Sequence, residues 1–426
     1  MKQDNPGVKH GDSDPHGDPL RPLIIVGTRP EAIKMAPVIL QAKAHRWVQP
    51  IVCRTGQHRE MLDQVLGYFE IQPDVELDVM TPGQSLSKLS AKLIDAIDDV
   101  IGAHHPDAVV VQGDTTSVMA ASMVAFFHRL PIVHVEAGLR TGDLAAPWPE
   151  EFNRRVAGMI STLHCAPTVR SADALRREGI PDADIQVTGN TVIDALLDAV
   201  DRERADPEKH LQTFPMFAPT ALSSGGTAVP TATGGRVLIT GHRRENFGDG
   251  MIRLCRAIER LSKQHPDVSF LYPVHLNPKV QQPVHERLGP LPNVHLVPPA
   301  NYAEFVWLMD QADVVVTDSG GVQEEAPSLG ATVLVTRDKT ERPEAVEAGL
   351  AELVGTDEDK IVDRVTAALR KRQTPSSDTR RQAVVNNPYG DGQAAKRIVN
   401  WMVERLLTPS KPFDARDILG ECSIEN

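Results

Sequence analysis

The sequence predicts an α/β protein of two Rossmann-like, doubly wound domains facing a central cleft, and three observations carry that prediction. First, apolar runs such as LIIV (23–26), AVVV (108–111) and VVVT (314–317) are continuous rather than alternating, so the strands are covered on both faces. Second, such runs alternate with stretches of helical periodicity, and that alternation builds a parallel sheet. Third, the alternation stops between residues 205 and 235 and then resumes, which divides the 426 residues into two domains.

The elements follow in order. Strand 23–26 leads to a helix from about Pro30, strand 50–53 to a helix from about Arg59, and strand 108–111 to a helix from Thr115; strand 132–135 comes next. Residues 85–103 place Leu86, Leu89, Leu93, Ile94, Ile97, Val100 and Ile101 on one face by the i, i+3, i+4 rule. Segment 218–235 is Ala, Thr, Ser, Gly and Pro with almost no charge, a flexible loop at the domain border. Strands 237–240, 268–272, 294–297, 314–317 and 333–335 form the second domain. A weak repeat links the halves: DAVVV runs into QGDTT at 107–116, and ADVVV into TDSGG at 312–321. Both put Asp followed by Ser or Thr at the carboxyl end of a strand, where open α/β sheets bind ligands. The expected spans are a disordered lead (1–20), an N-terminal domain (21–195), a connecting helix and loop (196–235), a second domain (236–390) and a tail (408–426).

Composition narrows the functions. Lys and Arg number 45 against 57 Asp and Glu, a formal charge of −12. So acidic a chain lacks the electrostatic footprint for a nucleic-acid backbone, although a local basic pocket can still hold a small anion. Aromatics at 4 % argue against base-stacking platforms. Cys53, Cys165, Cys255 and Cys422 form no CxxC pair, which points to inert thiols in a reducing compartment. No stretch approaches the roughly 18–20 apolar residues of a membrane span, and the polar N-terminus has no signal-like apolar core. A soluble, cytoplasmic protein is expected, with neither membrane nor nucleic acid as partner.

Chemistry is expected at the strand ends. In GTRPEAIK (27–34), Gly27 allows a tight turn, Pro30 suits a first helical turn, and Arg29 and Lys34 lie near a helix N-terminus that itself attracts anions. Diphosphate binding and ordinary turn chemistry both fit. QGDTT (112–116) carries Asp114, either a functional carboxylate or a helix cap. HVEAGLRTG (134–142) puts Glu136 at an apolar strand end, where burial raises a carboxyl pKa unless it is paired. PWPEEFNR (147–154) puts Glu150 in an acidic first helical turn. Asp114, Glu136 and Glu150 thus lie on successive strand ends or loops of one sheet, as general acid–base work requires. In the second domain TGHRREN (240–246) offers His242 with arginine donors. TDSGGVQEE (317–325) exposes backbone N–H groups around Ser319, Gly320 and Gly321, with Glu325 able to accept from ribose hydroxyls. GDGQAA (390–395) spells GxGxxA but follows NPY rather than a strand, so it fails as a dinucleotide fingerprint. Neither a metal nor a cofactor is expected.

Together these strings resemble one family. GTRPEAIK, QHREMLDQVL (57–66), GDT (113–115), HVEAGLRTG, PEEFN (149–153), TGNTVID (188–194), GHRRE (241–245), residues 318–328 and NPYGDG (387–392) look like the non-hydrolysing UDP-N-acetylglucosamine 2-epimerases of bacteria. The resemblance covers residues 22–407. It implies a glycosyltransferase-B architecture, a homodimer, and a C-terminal helix (391–407) returning to the first domain. It also implies interconversion of UDP-GlcNAc and UDP-ManNAc for cell-surface polysaccharides. Residue by residue, it makes Asp114, Glu136, Glu150 and His242 catalytic, without singling out the carboxylate that removes the C2 proton. It sets Arg29, Lys34, His242, His275, Ser319, Gly320 and Gly321 against the UDP moiety, with Phe305 near uracil and Glu325 on the ribose. Gln57 and His58 match a second, regulatory UDP-GlcNAc site. Glu60 stands where some members carry Gln, and residues 81–83 where some carry a basic residue.

The implied chemistry explains the residue types. The C2 proton is not beside a carbonyl, so simple deprotonation is unfavourable. One route oxidises a neighbouring carbon with NAD, for which no fingerprint exists. The other eliminates UDP to give 2-acetamidoglucal and adds it back with C2 inverted. That route requires carboxylates near C2 and cations for the departing UDP. A hydrolysing relative would instead release UDP and free ManNAc. A sugar transferase of the same architecture would need an acceptor site and not three carboxylates in one domain.

Overall fold

The computed structural model describes residues 18–56, 59–81, 83–217, 234–371, 383–384 and 386–407. Gln57 and His58, the expected lead before residue 18, segment 218–233 and the tail 408–426 lie outside the described residues.

Two parallel sheets form. In the first, β1 (Pro22–Val26), β2 (Ile51–Arg54), β3 (Val75–Glu76), β4 (Ala108–Gln112), β5 (Ile132–Val135), β6 (Leu163–Ala166) and β7 (Ile185–Val187) pair in the order β3-β2-β1-β4-β5-β6-β7. In the second, β8 (Gly235–Thr240), β9 (Val268–Pro273), β10 (Val294–Val297), β11 (Val314–Thr317), β12 (Thr332–Val335) and β13 (Ala351–Leu353) pair in the order β10-β9-β8-β11-β12-β13. Strand order reverses between β1 and β4, where Leu23 lies opposite Val109, and between β8 and β11, where Thr240 lies opposite Thr317. The connections diverge at such a reversal and leave a crevice beyond the carboxyl ends. The expected fold class is therefore found in both halves. Covering on both faces accounts for the unbroken apolar runs: Leu23, Ile24, Ile25 and Val26 are all buried.

Helices α1 (Arg29–Ala44), α2 (Arg59–Tyr68), α3 (Leu86–His104), α4 (Thr116–Phe127), α5 (Glu150–Ile160) and α6 (Val169–Arg177) connect the strands of the first sheet. The α3 stripe behaves as its spacing predicts: Leu89, Leu93, Ile97, Val100 and Ile101 are buried in the core with Ile25, Val109 and Val111. Ser85 caps that helix by accepting from Lys88 N, a contribution of about 1 kcal/mol. Around the second sheet run α7 (Thr191–Ala205), α8 (Glu208–Thr213), α9 (Asp249–Gln264), α10 (Pro278–Leu288), α11 (Tyr302–Gln311), α12 (Gly320–Glu325), α13 (Pro343–Glu347) and α14 (Glu358–Lys371); α15 (Ala394–Leu407) ends the described chain. Leu254 and Ile258 of α9 pack with Val237, Ile239 and Phe270.

The chain divides into two compact units. The first takes in residues up to Cys165, Asp173–Gln186 and the chain from Ala395; the second takes in Ala166–Ala172 and Val187–Ala394. Helix α7 sorts whole with the second unit, whereas the sequence reading divides it at residue 195. The reason is packing: Arg204 forks onto Asp310 of α11 at 3.0 and 2.6 Å. Periodicity reports that a helix is amphipathic, not which sheet receives it.

Two of the recognised strings build one junction inside the second unit. Asn190 caps α7 by accepting from Val192 N at 3.1 Å and donates to Glu324 Oε2 at 3.2 Å. Asn387 donates to the Glu324 carbonyl at 2.8 Å and to Ser328 Oγ at 2.6 Å. Asn190 N donates to Tyr389 O at 2.6 Å. Gly189 has φ +88°, and a Cβ there would lie 3.3 Å from Gly390 Cα, so the two backbones meet where no side chain fits. TGNTVID and NPYGDG are accounted for by this junction. Cys53, Cys165 and Cys255 are buried, and burial pushes the Cys53 and Cys255 thiols up to about 12, as inert thiols require. Among the described residues no helix is long and apolar enough to cross a membrane.

Candidate active site

Asp114 and Glu136 follow the carboxyl ends of the neighbouring strands β4 and β5, and Glu150 opens α5. Glu136 directly follows β5 with φ +60°, a left-handed backbone rare outside glycine. Lys34 Nζ donates to both its oxygens, at 2.5 Å to Oε1 and 2.7 Å to Oε2. Gln112 Nε2, at the end of β4, donates to Oε2 as well. Lys34 reaches this point because it lies on the second turn of α1, whose first residue is Arg29. Gly27 has another reason than the expected turn: a Cβ there would lie 2.7 Å from Ser117 Oγ, and its φ is not positive.

Asp114 is not the helix cap. Thr115 caps α4 and accepts from Val118 N, which leaves the Asp114 side chain for other work. That side chain is 27 % exposed, and Arg154 Nη2 of α5 pairs with its Oδ2 at 2.6 Å. Burial pushes its pKa up; Arg154 and Lys34 pull down, while the charges of Glu136 and Glu150 push up. Glu150 opens α5, but its neighbour Glu151 is structural: fully buried, it accepts from Thr141 N at 3.0 Å, Gly142 N at 3.3 Å and Arg155 Nε at 3.1 Å.

Two further groups border this set. Glu31 is 2 % exposed and accepts from Thr115 Oγ1 at 2.8 Å. Burial pushes its carboxyl up to about 7, against the pull of hydrogen bonds from Thr28 and Thr115. His134 Nε2 lies 2.8 Å from Gly113 O, and burial pushes the imidazole down to about 4, so it is neutral.

In the second unit the groups gather where β8 and β11 end. His242 follows β8, 46 % exposed, and stacks on His275 with ring centroids 5.5 Å apart and planes at 16°. Ser319 precedes α12, and Ser319 N donates to Thr317 Oγ1 at 2.9 Å. A Cβ built on Gly320 would lie 3.3 Å from the Arg342 guanidinium and 3.6 Å from Arg243 Nη2, while one on Gly321 would lie 3.5 Å from Glu325 Oε2. Two arginines therefore lie beside Gly320, and Arg342 also donates to Glu324 Oε1 at 2.8 Å. Phe305 is half-buried on α11. Arg342 escaped the sequence reading because it lies in the loop after β12, far from any recognised string; Arg154 and Gln112 stood inside recognised strings, but as ordinary polar neighbours. The signal for both was a cation or amide placed beside a strand-end carboxylate. Among the described residues no group of three His, Cys, Asp or Glu could hold a metal ion.

Comparison with known proteins adds to this geometry. A family model described as UDP-N-acetylglucosamine 2-epimerase matches residues 40–403. A probable UDP-N-acetylglucosamine 2-epimerase of Ralstonia solanacearum is 49 % identical over 379 residues, covering 88 % of this chain and 96 % of that one. The UDP-N-acetylglucosamine 2-epimerase of Escherichia coli (strain K12) is 46 % identical over 383 residues, covering 89 % and 97 %. The crystal structure of UDP-GlcNAc 2-epimerase from Neisseria meningitidis bound to UDP-GlcNAc is similar with a TM-score of 0.77 and 44 % identity, covering 90 % of this chain and all of that one.

Proposed function

Since the chain belongs to the UDP-N-acetylglucosamine 2-epimerase family, we propose that it interconverts UDP-GlcNAc and UDP-ManNAc without hydrolysis. One observation carries the reading: Lys34 holds Glu136 and Arg154 holds Asp114 at the ends of the neighbouring strands β5 and β4. Carboxylates gathered in such a setting can serve as acid and base.

In the proposed reaction a carboxylate of this set takes the C2 proton. The C2–H electron pair forms the C1=C2 double bond as the C1–O bond breaks, and UDP leaves with that bonding pair. UDP oxygen then re-adds to C1 of the 2-acetamidoglucal while an acid delivers a proton to the other face of C2. Burial pushes the Asp114 carboxyl upward against the pull of Arg154, which suits a group that exchanges a proton with C2. His242, the Ser319–Gly321 backbone and the arginines beside Gly320 hold and stabilise the departing diphosphate, with His275 supporting His242, Phe305 against uracil and Glu325 on ribose. Arg29 adds a cation at the start of α1. The family resemblance adds a cytoplasmic homodimer supplying cell-surface polysaccharide synthesis, and light scattering tests the dimer.

The test is incubation with UDP-GlcNAc in deuterated water, followed by proton NMR. UDP-ManNAc carrying deuterium at C2 is expected. Free ManNAc with UDP would establish hydrolysis instead. An unchanged sugar nucleotide would overturn both.

A further inference from the structure

Asp318 is wholly buried at the end of β11, and its two oxygens differ in what they touch. Oδ2 accepts from His242 N and Arg243 N, each at 2.9 Å, and from Asn246 Nδ2 at 3.3 Å. Oδ1 is buried without a hydrogen-bond partner and lies 3.5 Å from His242 Nδ1. The parallel register of β8 on β11 causes this: Thr240 opposite Thr317 brings the residue after each strand into reach of the other turn. A buried carboxylate oxygen left unpaired is costly, and the nearby imidazole N–H is the group that can satisfy it.

We propose that Asp318 is a positioning residue for His242, holding the imidazole through Nδ1–H so that Nε2 presents its proton to the diphosphate of a sugar nucleotide. The ligand named here rests on the function proposed above; the ring's orientation does not. Oδ2 fixes the turn by its backbone and Oδ1 fixes the ring, while the stacked His275 limits rotation of the ring. With Nδ1–H turned to Asp318, Nε2 donates to the diphosphate when the ring carries both protons. The charged and titratable groups around His242 are Asp318 from β11, His275 and Tyr272 from β9 and the turn beyond it, and Arg243 on its own turn.

The test uses the free protein with isotopically labelled histidine, titrated by nitrogen–proton NMR from about pH 5 to about pH 9, with His242→Asn to identify the signals. Two results are expected. In the wild type the neutral ring is protonated at Nδ1. In Asp318→Asn the neutral ring is no longer held as the Nδ1–H tautomer, and kcat on UDP-GlcNAc falls roughly tenfold. A wild-type ring protonated at Nε2 when neutral overturns the proposal, as does an unchanged tautomer in folded Asp318→Asn. Should Asp318→Asn not fold, the wild-type tautomer alone decides. If the tautomer is as expected and wild type fails to turn over UDP-GlcNAc, the positioning role stands and the proposed reaction falls.

Discussion

Lys34 Nζ contacts both carboxylate oxygens of Glu136, at 2.5 and 2.7 Å, from a helix that begins directly after β1. The pair is largely screened from water, with side chains 15 % and 10 % exposed, so its Coulomb energy is not dissipated as at a surface. It joins the β1–α1 turn to the end of β5. Glu136→Gln keeps the shape but loses the charge. We expect a kcat loss of about 10²–10⁴ with UDP binding by calorimetry little changed. Turnover within threefold of wild type would remove Glu136 from the reaction.

Arg154 holds the Asp114 carboxyl down against burial. Removing it in Arg154→Gln leaves burial less opposed, so the Asp114 pKa rises. The limb of kcat/KM against pH that reports this group should move upward by about one pH unit. Asp114→Asn should cost about 10²–10⁴ in turnover while UDP still binds. A limb that stays in place in Arg154→Gln would assign it to another residue.

Glu31 gives stability an unusual pH dependence. Its carboxyl is raised from 4.5 to about 7 by burial, so the fold prefers it protonated. That contribution is complete below pH 4.5 and is lost as pH rises through about 7. Glu31→Gln keeps a neutral group at all pH values. It should exceed wild type by about 1–3 kcal/mol in denaturant titrations at about pH 8, with the gap closing near pH 5. Parallel stabilities across this range would contradict the assignment.

His134 and His164 act with the opposite sign. Both are pushed by burial from 6.5 down to about 4, so the fold prefers them neutral. Their contribution is present above pH 6.5 and is lost as pH falls through about 4. His164→Leu should flatten the acid limb of thermal stability by about 1–3 kcal/mol. An acid limb unchanged in the variant would show that other groups govern it.

How much of this was legible depended on range. Local patterns were readable: the α3 stripe, the strand runs and the alternation that builds both sheets depend on neighbours within one element. The carboxylates were readable too, since Asp114, Glu136 and Glu150 each follow a strand or open a helix. What partners them was not. Arg342 reaches Gly320 from the loop after β12, and Gln112 meets Glu136 only because β4 and β5 pair with Gln112 opposite Val135. Asp318 read as part of a Ser-Gly-Gly turn; its grip on His242 depends on strand register, which spacing along one chain segment does not contain.

Glu136 occupies a backbone region that a glycine would enter at almost no cost. A non-glycine residue held there stores strain of about 1–3 kcal/mol. Glu136→Gly should therefore melt higher than Glu136→Ala while being equally inactive. If Glu136 acts as proposed, the position trades robustness for reactivity, and selection for heat resistance alone would push this chain toward an inert protein.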